Sequence, residues 1–193
     1  MGLRAELLSG DEARKLEPAL SPQVHAAAHF PDDHQVDNRL LVRALTMAAA
    51  RVGARFRSGY VRGVLEEQGR VVGVDVDGEP LRAEAVVLAA GSWSGLVQGV
   101  PLDPRVVRPL RGQMVQLQTR LPLMRHILVS PEGYLVPRAD GRVIAGSTME
   151  FAGFDKQVTA EGLSRILAMA LELCPELGHA PVAEMWAGFR PLL

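Results

Sequence analysis

Disulfide stapling is closed to this chain, because Cys174 is its one cysteine in 193 residues. That excludes the small secreted scaffolds and fits a reducing compartment, with Cys174 expected as a buried, inert thiol in a helix. A surplus of either charge is missing too. The formal charge is −1, although Arg far outnumbers Lys, so no global field favours nucleic acid or an anionic membrane. No apolar run reaches the length of a membrane-crossing helix. The opening MGLRAELLSGDEARKLEP is too charged for a signal peptide, and the expected location is cytoplasmic. A hydrophobic content of 48% is enough for a real core in one domain or two small ones.

Metal and nucleophile chemistry lack support as well. His25, His29 and His34 lie close in sequence, but Pro22 and Pro31 fragment the segment and no Cys is near, so exposed loop histidines explain them better. Asp75-x-Asp77-Gly78 has too few ligands for a calcium loop and reads as a hairpin turn. Ser, His and Asp residues occur without a local pattern linking them.

What is present is a sequence of local signals. Ser9-Gly10-Asp11-Glu12 reads as a capping box opening a short helix. A second helix follows a cap at Asp37 or Asn38, with Leu40, Leu41, Ala44, Leu45 and Ala48 at helical spacing and Gly53 at its end. VRGVLEE and VVGVDVD alternate around Gln68-Gly69 as a hairpin, with another turn at Asp77-Gly78. AVVLAAGSWSG, residues 85–95, then runs six apolar residues into Gly91, which predicts a strand buried on both faces whose end approaches a ligand. Taken alone, those eleven residues fit an ordinary strand-to-helix turn better, with Gly91 chosen for its backbone freedom. Trp93 stands where a hydrolase elbow needs serine, and Gly91, Gly95 and Gly99 have the wrong spacing for a dinucleotide fingerprint.

From Pro101 the pattern turns to antiparallel strands: VVRPLRGQMVQLQ, HILVS, and GYLVPRADGRVIAGST around Asp140-Gly141. A helix from about Thr159 to Leu173, stopped by Pro175, and a last strand in PVAEMWAGFRPLL complete the chain. Tyr134, Met149 and Arg190 fall in or beside this sheet. A buried arginine near a tyrosine hydroxyl would clamp a carboxylate through its two-pronged fork. A sheet tyrosine, a core methionine and a surface arginine account for the same residues.

AVVLAAGSWS, RPLRGQM, GYLVPRADGRVIAGSTME and WAGFRP, in that order, resemble the D-amino-acid-oxidase superfamily of FAD enzymes across nearly the whole chain. HQVDNRLLVRAL and the Met after GST point to its glycine oxidase branch, which serves thiamine biosynthesis. The resemblance implies a mixed fold, α+β and α/β: part of a Rossmann-like FAD-binding domain plus an antiparallel-sheet substrate domain with flanking helices. On this reading residues 1–35 belong to the substrate domain, 36–100 form the second half of the FAD domain, 101–185 the substrate sheet, and 186–193 return to the FAD domain. The resemblance places Val61, Gly91 and Trp93 against FAD, and Tyr134, Met149 and Arg190 around a small amino-acid substrate. It implies oxidation of glycine or sarcosine to the imine, with molecular oxygen reduced to hydrogen peroxide, no metal, and no acid–base pair outside the flavin. A homo-oligomer is compatible with this reading. The family's Gly-x-Gly-x-x-Gly unit has no counterpart here, so the chain is expected to be the middle of such an enzyme. A D-amino-acid dehydrogenase, a sarcosine-oxidase-like relative, or a non-catalytic binding module remain the alternatives.

Overall fold

The computed structural model describes residues 4–103 and 105–193. The chain divides into two compact units, Met1–Gln35 with Arg111–Gly188, and Val36–Leu110 with Phe189–Leu193.

The first unit opens with β1 (Glu6–Ser9), α1 (Gly10–Leu16) and β2 (Ala26–His29), with β1 and β2 paired antiparallel. The Ser9 cap forms as read: its hydroxyl accepts from the Glu12 amide while Glu12 Oε2 accepts from the Ser9 amide at 2.8 Å. Two side chains tie this early segment to residues a hundred positions away. Buried Glu17 accepts from the amides of Arg125 and His126 at 2.7 and 2.9 Å, and Gln35 donates to the Pro137 carbonyl at 2.7 Å. Of the loop histidines, His29 lies in β2 with its ring 5.8 Å from that of His126 in an edge-to-face contact.

The main sheet has five strands, β6 (Arg108–Gln118), β7 (Leu128–Ser130), β8 (Gly133–Pro137), β9 (Arg142–Gly146) and β10 (Val182–Leu192), in the order β10-β6-β9-β8-β7. Alternation along each strand divides its faces. Val115, Leu117, Leu135, Val143 and Ala145 point into a core completed by Ile166, Met169 and Ala170 of α3 (Ala160–Leu173) and by Cys174 and Leu177. Thr159 caps α3, accepting from the Gly162 amide at 3.1 Å. Cys174 is fully buried but sits at the helix's C-cap and not inside it; burial pushes its thiol pKa up.

The second unit holds α2 (Asn38–Arg51) and the meander β3 (Val61–Glu67), β4 (Arg70–Val76) and β5 (Glu79–Arg82). Asp37 caps α2 through the amides of Arg39 and Leu40. The turns fall at Gln68-Gly69 and Asp77-Gly78, all four residues at positive φ, and Asp75 accepts from the Gly78 amide at 2.7 Å as a turn residue. No residue of α2 is buried, and Leu40, Leu41 and Leu45 are exposed.

One expectation is overturned here. Residues 85–90 form no strand, and Val87 is 90% exposed. An apolar run becomes a sheet strand only when neighbours on its flanks accept and donate ladder hydrogen bonds, and no described residue pairs with it. The parallel bridge in this unit lies further on, between Gly63 and Gln98.

Candidate functional site

In the first unit, the sheet face away from α3 carries Met114, Tyr134 and Gly146 in one row, since Gly146 is registered with Met114 on one side and with Tyr134 on the other. A Cβ at Gly146 would stand 2.3 Å from Met114 Sδ, so only glycine lets the thioether lie across the strand. The half-buried Tyr134 hydroxyl donates to that sulfur at 3.5 Å. A sulfur acceptor is weak, and the hydroxyl can exchange it for a better partner at little cost.

Met149 follows β9 and is 75% exposed, where the sequence left a core methionine open. Its neighbours on both sides are held firmly. The Thr148 hydroxyl accepts from the Gln113 amide at 2.9 Å, and Arg111 and Glu150 exchange both backbone hydrogen bonds at 2.9 and 3.0 Å. Arg111 Nε donates to Glu150 Oε2 at 2.6 Å and Nη1 to Asp155 Oδ2 at 3.1 Å, while Gln113 Nε2 donates to Glu150 Oε1 at 2.8 Å. Burial works against the Glu150 carboxylate, but hydrogen bonds from Thr148, Arg111 and Gln113 outweigh it and hold the carboxyl below its ordinary value. Arg111, Gln113 and Glu150 lie within RPLRGQM and GSTME, motifs that by themselves assign them no role. The signal was present, as polar residues in otherwise apolar strands need partners when buried.

The second unit holds Val61, Gly91, Trp93 and Arg190. Val61 begins β3 and is 41% exposed. Gly91 opens a 3₁₀ turn, Gly91–Leu96, at φ +53°, and nothing lies within 4 Å of where its Cβ would stand. The next residue, Ser92, is buried with no hydrogen-bond partner for its hydroxyl. Trp93 packs edge-to-face on Phe189 with ring centroids 5.6 Å apart. Arg190, beside Phe189, is exposed near the end of β10.

The open backbone at Gly91 and the orphaned Ser92 hydroxyl beside it leave room and an unused polar group for a ligand such as a flavin nucleotide. Among the described residues, no group of three His, Cys, Asp or Glu side chains is placed to hold a metal ion, and no helix is long and apolar enough to cross a membrane.

A family model described as FAD dependent oxidoreductase matches residues 1–193. The bifunctional protein ThiO/ThiG of a Nostoc species is 38% identical over 176 residues, covering 91% of this chain and 27% of that protein. Glycine oxidase of Pseudomonas putida is 37% identical over 178 residues, covering 90% of this chain and 48% of its own length. The crystal structure of glycine oxidase from Bacillus cereus superposes with a TM-score of 0.91 at 31% identity, over 98% of this chain and 53% of that one. The chain thus spans about half or less of the length of these relatives.

Proposed function

Since the chain belongs to the FAD dependent oxidoreductase family, we propose that it carries the substrate sheet and part of the flavin site of an enzyme oxidising a small amino acid or amine of the glycine or sarcosine type. The observation that supports this most is the likeness to glycine oxidase along 98% of the chain. A role in thiamine biosynthesis goes with the same reading.

In it, Arg190 receives the substrate carboxylate, its planar fork offering two parallel donors that a lysine could not match. The Tyr134 hydroxyl leaves its weak contact with Met114 for the substrate, and Met149 forms an apolar wall. Val61, Gly91 and Trp93 lie against FAD, with Gly91 leaving its backbone open to close approach. FAD, when bound, would supply two-electron oxidation: a hydride from the α-carbon and a proton from the amine nitrogen leave the substrate as the imine, and both end on molecular oxygen as hydrogen peroxide. The protein's share is orientation of the substrate and exclusion of water.

The test is an assay of the flavin-loaded enzyme that carries this segment, following oxygen uptake and peroxide with glycine, with sarcosine and with a larger D-amino acid. Turnover of glycine and sarcosine with one peroxide per oxygen supports the reading. Turnover with an artificial electron acceptor and none with oxygen would identify a dehydrogenase instead.

A further inference from the structure

We propose that Arg111, Gln113 and Glu150 are positioning residues that fix Met149 in place and thereby limit the size of amine the pocket admits. This rests on the reading of Met149 as a substrate wall.

An exposed side chain with little packed against it has no means of setting its own position, so the placement of Met149 comes from the backbone on either side. Both sides are pinned to β6. Ahead of it, Thr148 is buried and joined to the Gln113 amide. Behind it, Glu150 makes two backbone hydrogen bonds with Arg111, and its carboxylate is gripped by the Arg111 guanidinium and the Gln113 amide group.

The return of the chain is fastened to the same two side chains. Arg111 Nη1 reaches Asp155, and Gln113 exchanges hydrogen bonds with Thr159, its Nε2 donating to Oγ1 at 3.0 Å and its Oε1 accepting from the Thr159 amide at 2.8 Å. A Cβ at Gly162 would lie 2.3 Å from Gln113 Nε2, so α3 closes directly over that amide. Arg111 and Gln113 are 7% and 0% exposed. A buried ion pair is a poor stabiliser beside well-packed apolar residues, but its directional bonds specify one geometry and penalise the alternatives. Here the geometry specified is that of the segment bearing Met149.

The experiment has two independent readouts. Methyl-13C methionine spectra of the 193-residue chain, with the Met149 signal assigned through Met149→Leu, report whether the clamp places the side chain. Glu150→Gln keeps the shape while removing the charge, and Arg111→Lys keeps the charge while losing the fork. Both are expected to move the Met149 methyl resonance and narrow it. In the flavin-loaded enzyme carrying this segment, the kcat/KM ratio of glycine to N-ethylglycine should fall about tenfold in Glu150→Gln, the scale on which a pocket discriminates small increments of bulk. Arg111→Lys should fall between that variant and the unmodified enzyme. A Met149 resonance unchanged in both variants overturns the clamp. An unchanged ratio in Met149→Ala overturns the wall reading and the proposal with it, and the methyl spectra tell the two failures apart.

Discussion

Arg190, Tyr134 and Cys174 each present one group whose surroundings decide what its loss would do. If the Arg190 guanidinium takes the substrate carboxylate, Arg190→Ala in the flavin-loaded enzyme should cost about 2 to 4 kcal/mol in glycine kcat/KM, mainly through KM. Oxidation of an uncharged amine should change much less, and equal losses on both substrates would mark a structural arginine. Tyr134→Phe removes a hydroxyl whose partner within the chain is a sulfur at 3.5 Å, so the fold loses little. A defect of about 1 to 2 kcal/mol in kcat/KM with an unchanged melting temperature is expected, whereas unchanged kinetics would mean that the ring only packs. Cys174 is 0% exposed with its thiol pKa raised by burial. It should react with a thiol reagent only as fast as the chain unfolds, and rapid labelling under native conditions would contradict its place in the core.

At the scale of elements, the attachment of the 147–159 segment to β6 depends on Glu150 being ionised. The fold lowers its pKa below the ordinary 4.5. Its stabilisation is therefore complete above that value and fades as pH falls through the lower folded value. Acid unfolding below the ordinary carboxylate pKa of 4.5 should lose steepness in Glu150→Gln, which has no proton to take up there. Identical acid profiles would show that the carboxylate's bonds matter little. Arg111→Ala strands the Glu150 carboxylate and Asp155 together and should destabilise the chain by about 3 kcal/mol in urea unfolding. The open face of α2 behaves differently, because its Leu40, Leu41 and Leu45 are already exposed. Substituting them to polar residues should leave the melting temperature of the 193-residue chain almost unchanged.

For the molecule as a whole, α2 and the 85–90 segment each expose large apolar residues, Val87 and Leu88 among them, which water solvates poorly. The chain also contains no Gly-x-Gly-x-x-Gly turn to cradle a pyrophosphate at a helix N-terminus. The 193-residue chain should bind FAD weakly and self-associate with concentration. Flavin fluorescence titration and sedimentation check both, and tight stoichiometric binding would show that the pyrophosphate is held by other groups.

What the amino-acid sequence determined alone is whatever a few neighbouring residues settle among themselves. The caps at Ser9, Asp37 and Thr159, the turns at Gln68-Gly69 and Asp77-Gly78, and the alternation that turns Val115 and Leu117 inward all act within one turn or one pleat. The ordered motifs that carry the family likeness were legible for the same reason. Tertiary structure decided everything that needs a distant partner. Arg111 meets Glu150 across 39 positions, Glu17 meets Arg125 across 108, and Trp93 finds Phe189. It also decided that AVVLAA stays outside any sheet and that Arg190 stands exposed. An apolar run or a charged side chain states only what it would gain by burial, and the fold of the rest of the chain determines whether it is covered.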